Sequence, residues 1–408
     1  MRVFALSYEH DAVVRGDMGG HGKIWELADH LFRLGHLVTV FAPRLEDPRR
    51  GTQVEVVEVP CVEIPLLRPL TVYLSLFLYP LVRARRQRPD VLYVRTLHSP
   101  LPALLGKLLS VPLVVEVNGD SYAQLKVAGA SRLKLALVRW IDGINVACAD
   151  RVIAITRGLQ RMLGERYGIP LERTAVIASG SNVDLFKAED TAACRARLGL
   201  APTGSCVGFL GTFFRYQGID TLIEAAPRIL ERFPDTRFLI VGDGVMRAPW
   251  QRTVAARGLE RAFLFPGRVP YTDAPRYINA TDVCVAPFLR SRGETSPLKL
   301  FDYLACGKPV VVSDIPSVRE IIGEERGVVA IPPESPEALA DAVIGLLADE
   351  GRRRLLGENG RRFVVAEHSW ERIAQQVAAL CQGAIEARRG TGERAAGSRV
   401  DKVSGGQH

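Results

Sequence analysis

Residues 2–43 contain the pattern that decides the fold, the stretches RVFALS, GDMGGHG, IWELADHLFRLG and HLVTVFAP in that order. The first and last stretches are short apolar runs. The third places apolar residues at helical spacing, at Ile24, Leu27, Ala28, Leu31 and Leu34. Gly35 follows them, where a glycine commonly ends a helix. A buried strand, a loop, a helix and another buried strand predict a parallel sheet with helices on its faces.

The same pattern continues and then starts again in the second half of the chain. Further apolar runs predict strands at 90–96, 112–118, 151–156 and 174–179. A polar segment then marks a boundary, and after it the runs SCVGFLG, TRFLIVGDG, RAFLFPG, DVCVAPF and PVVVSD alternate with helical stretches. We therefore predict an α/β protein of two Rossmann-like, doubly wound domains facing each other across a cleft, at residues 1–185 and 186–367.

The C-terminal end is predicted to be a helix followed by a tail. Residues 368–389 have the pattern of an amphipathic helix, which we expect to pack back on the N-terminal domain. Residues 390–408 contain two valines as their only bulky apolar side chains. Such a segment buries too little surface to offset the entropy of ordering, so we predict a disordered tail.

Composition excludes several classes of protein. The 408 residues are 47% hydrophobic and 24% charged, which is typical of a soluble globular protein. The net charge of +8 suggests affinity for anions. Seven scattered cysteines without a C-x-x-C pair indicate neither a disulfide framework nor a zinc site, and they favour the cytoplasm. The start MRVFALS is predicted to be a first strand rather than a signal peptide.

Residues 66–88 form a segment with a possible role at a membrane. The apolar part, LLRPLTVYLSLFLYPLV, is interrupted by Arg68, Pro69 and Pro80, which leaves too short a run for a spanning helix. A cluster of four arginines follows within residues 83–88. Such a helix can lie in the interface of an anionic bilayer, which predicts a peripheral protein on the inner face of the plasma membrane. The alternative is a core helix with a solvated basic end.

Two stretches could bind an anion. In the first, Gly19 and Gly20 lie between a predicted strand and its helix, although the loop is not G-x-G-x-x-G and a nicotinamide dinucleotide is not indicated. In the second, RSRGETSPLKLFDYLACGKP, seven residues separate Glu294 from Asp302. A helix is predicted to begin near Pro297, where backbone N–H groups would stabilise a pyrophosphate. The structural alternatives are a turn glycine pair, a capping Ser296 and an exposed Asp302.

Lys299 lies in the first turn of that predicted helix, where an acidic residue is more usual. A cation at a helix N-terminus is better explained if an anion binds beside it. The backbone groups that would accompany it belong to Thr295, Ser296 and Leu298. Clusters of arginines at 352–354 and 361–362 lack interleaved aromatic residues, so we predict a solvated helix face there and no binding of nucleic acid.

The order of these motifs resembles family 4 of the retaining glycosyltransferases with the GT-B fold. Glu294-x7-Asp302 followed by YLACGKPVVVSD is similar to the E-x7-E motif of that family. The resemblance extends over GGHGKIWELADHLFRLGHLVTVFAP, ADRVIAIT, IASGSNVDLF, VGFLGTFFRYQGIDTLIEAA, FLIVGDG and FPGRVP. It therefore covers nearly the whole chain, and several motifs in the right order make it specific.

The resemblance implies a role for each matching residue. Glu294 would hold hydroxyls of the donor sugar, and Asp302, in place of a glutamate, the ribose hydroxyls. The remaining residues implied in binding the nucleotide sugar are Gly19, Gly20, Thr212, Gln217, Gly242, Arg268, Val269, Thr295, Ser296, Pro297 and Leu298. His98 would position groups at the reacting centre, and Asn118 and Gly119 would face the sugar and the acceptor, at strand ends where open sheets bind ligands.

The chain departs from the family pattern at two positions. Thr212 and Gln217 stand where the family usually has an arginine and a lysine that contact the diphosphate. We expect Arg215 and Lys299 to replace these cations. The alternative is a non-catalytic subunit that binds a nucleotide sugar without turning it over.

The resemblance implies transfer of a sugar from a UDP- or GDP-sugar to a hydroxyl of a glycolipid or surface polysaccharide, with retention. Breaking a glycosyl–phosphate bond releases a nucleoside diphosphate, and cations with N–H donors lower the barrier. The sequence contains no D-x-D pattern, so we expect no metal or other cofactor, with protein cations in the place of Mg²⁺. A second enzyme hypothesis is an NDP-sugar 2-epimerase of the same fold.

Overall fold

The computed structural model describes residues 1–8, 22–43, 53–62, 64, 67–95, 98–127, 130–294 and 297–404, with side chains up to residue 390. The chain divides into two compact units. The first contains the first strand, Ile24–Ala178 and the chain from Ala374 onward, and the second contains Ser179–Ile373. The division after Ala178 lies seven residues before the boundary expected from the sequence.

The first unit is built on a parallel sheet of seven strands in the order β3-β2-β1-β4-β5-β6-β7. The strands are β1 Arg2–Leu6, β2 Leu37–Pro43, β3 Glu55–Val59, β4 Val91–Arg95, β5 Leu113–Val117, β6 Arg151–Ala154 and β7 Thr174–Val176. The helices are α1 Gly22–Arg33, α2 Arg68–Ala84, α3 Leu101–Leu109, α4 Ser121–Val127, α5 Arg132–Cys148 and α6 Arg157–Tyr167. Since the strand order reverses between β1 and β4, the loops after these two strands flank the switch point of the sheet.

Helices α2, α3 and α5 lie on the same face of this sheet. The connections through α2, α3 and α5 all lead towards β6, opposite to the connection through α1, so right-handed crossovers place them together. α3 packs against both α2 and α5. Helix α2 runs from Arg68 through Pro80 to Ala84, so one proline lies inside it. Burial of Val72, Leu76 and Pro80 offsets the one hydrogen bond that a proline cannot donate.

The second unit is built on a parallel sheet of six strands in the order β10-β9-β8-β11-β12-β13. The strands are β8 Cys206–Leu210, β9 Arg237–Val241, β10 Phe263–Gly267, β11 Val283–Ala286, β12 Val310–Ser313 and β13 Val328–Ile331. The helices are α7 Thr191–Arg197, α8 Ile219–Arg232, α9 Arg247–Ala256, α10 Ala274–Asn279, α11 Leu298–Ala305, α12 Pro336–Ala348 and α13 Glu350–Glu367. The switch point of this sheet lies between β8 and β11.

The C-terminal part differs from the sequence predictions in two ways. Helix α14 spans Trp370–Ser404, so the prediction of a disordered tail from residue 390 is wrong up to Ser404. Extending an existing helix needs no new nucleus, and the alanines, arginines and glutamate of this segment favour it. In α13, Arg353 and Arg361 do not form a solvated face. Arg353 donates to the carbonyls of Leu346 and Leu347, and Arg361 to that of Phe186.

Candidate functional site

Lys299 is the centre of a polar and aromatic cluster in the second unit. It is the second residue of α11, and its Nζ donates a 2.7 Å hydrogen bond to Oε1 of Gln217. The same nitrogen lies 3.9 Å from the centroid of the Phe209 ring and 5.7 Å from that of Phe288. Aromatic faces attract cations, so these contacts hold the ammonium group at the N-terminal end of the helix. A positive charge there adds to the helix dipole and makes the place attractive to an anion.

Close backbone packing brings Gln217 to this place. β8 ends at Leu210, and a short 3₁₀ turn, Arg215–Gln217, leads to Gly218 in the left-handed region at φ +70°. A Cβ at Gly218 would lie 1.8 Å from the carbonyl oxygen of Pro287, which follows β11. Only glycine permits this contact between the loops that flank the switch point.

A third loop, which follows β9, packs against the same segment. A Cβ at Gly242 would lie 1.9 Å from the carbonyl oxygen of Gly211, and the Gly242 N–H donates to Gly267 at 2.9 Å. A Cβ at Gly211 would lie 2.5 Å from Nζ of Lys299. The absence of a side chain at Gly242 therefore lets the loop after β9 approach the loop after β8. The absence of a side chain at Gly211 leaves room for the ammonium group of Lys299.

Arg292 is a second cation at this edge, and the sequence analysis missed it. Its guanidinium carbon lies 4.0 Å from the centroid of the Phe288 ring and 5.7 Å from that of Tyr216. Burial lowers the pKa of Arg292 to about 10. The residue falls within the stretch RSRGET, and the only signal in the sequence is an aromatic residue four positions earlier.

Helix α11 is fastened to β8 by Tyr303. The buried hydroxyl of Tyr303 donates to the Leu210 carbonyl at 2.9 Å and accepts from the Leu210 N–H at 2.6 Å. These bonds fix the helix that carries Lys299 relative to the strand that leads to Gln217. No sequence pattern indicates this pairing, because the partners are 93 positions apart.

The two acids of the E-x7-E-like motif have different surroundings. Asp302, on α11, accepts a 2.6 Å hydrogen bond from Oγ of the buried Ser181 through its Oδ1. Ser181 in turn donates its N–H to the carbonyl of His368. Glu294 is half-buried in the loop that leads to α11. A carboxylate with one oxygen engaged by serine keeps acceptor capacity for hydroxyl groups.

The residues predicted near the base and the diphosphate lie at ends of β8 and β10. Val269 is buried, whereas Arg268 and Arg215 are exposed. The Arg247 guanidinium lies close to Gly267, where a Cβ would be 3.4 Å from Nη1. Thr212 is half-buried beside Gly211.

The candidate residues of the first unit lie at the ends of β4 and β5. Nδ1 of His98 lies 3.0 Å from Oδ1 of Asp142 on α5. Asn118 and Gly119 follow β5 and are half-buried. Gly119 lines a recess with Asp142 and with Asp120, whose carboxylate accepts two hydrogen bonds from Arg166, at 2.6 and 2.7 Å.

Four candidate residues cannot be placed. Gly19, Gly20, Thr295 and Ser296 lie outside the described residues. Pro297 is buried and caps α11, and Leu298 is the first residue of that helix. Within the described ranges, no group of three or more His, Cys, Asp or Glu side chains is arranged to hold a metal ion. Of the helices in those ranges, none is both long and apolar enough to cross a membrane.

Curated relatives are similar to between half and about two thirds of this chain. Alpha-D-kanosaminyltransferase of Streptomyces kanamyceticus is 28% identical over 284 residues, which cover 68% of this chain and 72% of the relative. A D-inositol 3-phosphate glycosyltransferase of Geodermatophilus obscurus is 32% identical over an alignment that covers 61% of this chain and 56% of the relative. A GDP-mannose-dependent monoacylated phosphatidylinositol monomannoside mannosyltransferase of Corynebacterium glutamicum is 29% identical. That alignment covers 50% of this chain and 55% of the relative. The last two alignments thus span little more than half of each relative.

Solved structures share the fold over nearly the full length. Sucrose-phosphate synthase of Thermosynechococcus elongatus has a TM-score of 0.77 at 22% identity, covering 95% of this chain and all of that one. HepE of Anabaena, solved with UDP, has a TM-score of 0.72 at 20% identity. The match covers 94% of this chain and all of HepE.

Two family models match consecutive parts of the chain. The model described as Glycosyltransferase Family 4 matches residues 22–185, and the model described as Glycosyl transferases group 1 matches residues 190–363. Together they account for most of both units, and the neighbours in the preceding paragraph share the fold of two parallel sheets covered by helices. The chain therefore belongs to the family 4 glycosyltransferases of the GT-B fold, the membership that the order of its motifs predicts.

Proposed function

We propose that this chain is a retaining glycosyltransferase that moves a sugar from a UDP- or GDP-sugar to a hydroxyl of a glycolipid or surface polysaccharide. The observation that carries the proposal is the position of Lys299, held by Gln217 and Phe209 at the N-terminus of α11. A cation, a helix N-terminus and the ends of β8 and β11 meet there, at the switch point where open α/β sheets bind ligands.

The leaving group sets the electrostatic demand. When the glycosyl–phosphate bond breaks, negative charge develops on the nucleoside diphosphate, and preorganised cations and N–H donors stabilise it. Lys299 and the backbone at the start of α11 would supply both. In this arrangement Gln217 holds the lysine, Glu294 holds sugar hydroxyls and Asp302 holds ribose hydroxyls, while Thr212, Gly242, Arg268 and Val269 line the nucleotide.

Retention follows if the acceptor hydroxyl attacks from the face that the diphosphate leaves. Its proton passes to a phosphate oxygen of the leaving group, so no protein nucleophile takes part and the carboxylates differ from the flanking pair of glycoside hydrolases. We propose that the reaction needs no metal, because Lys299 supplies the charge that Mg²⁺ supplies elsewhere. His98, with Asn118 and Gly119, would position the sugar and the acceptor.

The donor and the acceptor are inferred from chemistry and similarity. HepE binds UDP, and the Corynebacterium glutamicum relative is named for GDP-mannose and a phosphatidylinositol acceptor. The apolar and basic segment 66–88 is consistent with a lipid-linked acceptor and with a peripheral place on the inner face of the plasma membrane. Nucleic acid is not among the proposed partners.

A binding and transfer experiment tests the proposal. The melting temperature is measured with UDP, GDP and their sugars, since ligands that bind the native state raise stability by mass action. Transfer is then measured for the wild type, for Lys299→Met and for Lys187→Met, the latter an exposed lysine of the same unit. We expect Lys299→Met to lower kcat by about 100-fold or more, the usual size for loss of one group that stabilises developing charge. Lys187→Met and added EDTA should leave the rate unchanged.

Three outcomes would contradict the proposal. Conversion of the sugar donor to an epimer without acceptor would identify a 2-epimerase. A raised melting temperature without transfer to any acceptor would favour a subunit that only binds the donor. A wild-type rate of sugar transfer in Lys299→Met would show that Lys299 takes no part in the site.

A further inference from the structure

Large exposed apolar side chains are concentrated on three helices of the first unit. Leu133 is 81% exposed, Leu70 is 65% exposed and Trp140 is 63% exposed. The other exposed apolar residues of α2, α3 and α5 are Leu74, Leu78, Tyr79, Val82, Leu104, Leu108 and Leu137. Large apolar side chains that are exposed together on a protein surface mark an interaction site.

The exposed residues follow helical stripes. On α2, positions 70, 74, 78 and 82 recur every four residues, and on α5 positions 133, 137 and 140 lie on one side. Leu76 of α2 and Leu135 and Val138 of α5 are buried. Each of these helices therefore has two apolar sides, one in the core of the first unit and one facing out.

The three outer sides form one surface. α2, α3 and α5 lie on the same face of the seven-stranded sheet, and α3, with its exposed Leu104 and Leu108, packs between the other two. We call the outward sides of α2, α3 and α5 the three-helix surface.

Basic residues border the three-helix surface. α2 and α3 contain no acidic residue, and the only one in α5 is Asp142, which lies beside His98. The exposed basic side chains on and directly after these helices are Arg85, Arg86, Arg88, Lys107, Arg132, Lys134 and Arg139. Apolar residues that alternate with lysine and arginine suit the boundary between acyl chains and anionic headgroups.

We propose that the three-helix surface binds an anionic lipid bilayer, with Trp140, Leu137 and Leu133 of α5 entering the interface beside the stripe of α2. The charge argues for this occupant, since a second copy of the chain would bring the same basic residues face to face. Tryptophan is enriched at the level of lipid headgroups. The inference extends membrane contact from residues 66–88 to a second stripe 50 residues further on, and binding does not depend on the proposed transfer reaction.

A vesicle experiment tests the inference. Binding of the full chain is measured by cosedimentation with phosphatidylglycerol vesicles and with phosphatidylcholine vesicles. The double variant L137E/W140E is compared with L171E, which changes a leucine that is 65% exposed elsewhere in the first unit. Circular dichroism and the melting temperature confirm that the variants fold, and size-exclusion chromatography reports the oligomeric state.

We expect the wild type to bind the anionic vesicles in preference to the neutral ones. L137E/W140E should weaken that binding by about tenfold or more, since two apolar side chains leave the interface and two negative charges enter. L171E should bind as the wild type. Equal binding of L137E/W140E and the wild type, or no preference for anionic vesicles, would overturn the inference. If the wild type forms a dimer that L137E/W140E does not form, and the wild type does not bind vesicles, the surface serves self-association instead.

Discussion

The ammonium nitrogen of Lys299 donates a 2.7 Å hydrogen bond to Oε1 of Gln217, a residue 82 positions earlier in the chain. Gln217 stands where the family pattern usually has a lysine, and its side chain is 5% exposed. The pair therefore places a lysine ammonium beside the position where the family has one, but delivers it from α11. Under the proposed function, Gln217 positions the ammonium group of Lys299 and does not itself contact the donor.

Replacing Gln217 by leucine should lower kcat with little change in the KM for the donor. Lys299 would keep its charge but lose a hydrogen-bond partner, and the expected loss is about tenfold, the effect of one charged hydrogen bond. Steady-state kinetics of Gln217→Leu and of Gln251→Leu, an exposed glutamine on α9, check this. A raised KM with unchanged kcat would mean that Gln217 contacts the donor itself.

Removing the Tyr303 hydroxyl should destabilise the second unit. In Tyr303→Phe, the buried N–H and carbonyl of Leu210 both lose their partner on α11. The expected cost is about 2–4 kcal/mol of unfolding free energy, since each unsatisfied buried group costs about 1–3 kcal/mol. Urea denaturation measures it, with Tyr79→Phe as the control, because Tyr79 is exposed. Equal midpoints for both variants would contradict the role given to Tyr303.

Gly218 and Gly199 provide a matched pair for the contact between loops. Both have a left-handed φ, +70° and +67°, but a Cβ at Gly199 would meet nothing within 4 Å, whereas at Gly218 it would meet the Pro287 carbonyl. Gly199→Ala should cost about 1 kcal/mol from backbone strain alone. Gly218→Ala should cost more than about 2 kcal/mol, because the loops must also separate. Denaturation of the two variants checks this, and equal losses would exclude the steric effect.

Stability should fall in mild acid because of His368. Burial lowers the pKa of His368 to about 4 from its ordinary 6.5, against the opposing effect of the Ser179 carbonyl, which accepts from Nδ1. The unfolded chain thus binds the proton more tightly than the folded chain. The contribution of His368 is complete above pH 6.5 and is lost as the pH falls to about 4, in total about 3 kcal/mol.

Comparison of the wild type with His368→Asn checks this sign. Unfolding free energies measured from pH 8 to pH 4.5 should converge for the two proteins as the pH falls, because asparagine does not titrate. If the unfolding free energies of the two proteins instead change in parallel with pH, His368 is not the cause of the lower stability in acid.

The sequence predicted eleven of the thirteen strands that the structure describes, because buried parallel strands are short apolar runs, a local property. It did not predict β3 and β13, each of which lies at an edge of its sheet. It predicted α1 and α11 from helical spacing and from a proline at a helix start. It was wrong about residues 390–404, where continuation of the existing helix α14 outweighs the local composition. It also missed Arg292, whose distinguishing feature is burial on an aromatic ring.

The sequence by itself determined the α/β class and the two-domain order, since both follow from periodicity along the chain. Its motifs, including Glu294-x7-Asp302, carry the resemblance to the family. Only the tertiary structure decided which residues meet. Lys299 with Gln217, Asp302 with Ser181 and Tyr303 with Leu210 are pairs separated by 82 to 121 positions. The physical reason is that sheet order and backbone approach at glycines bring these partners together, and neither is encoded in local sequence.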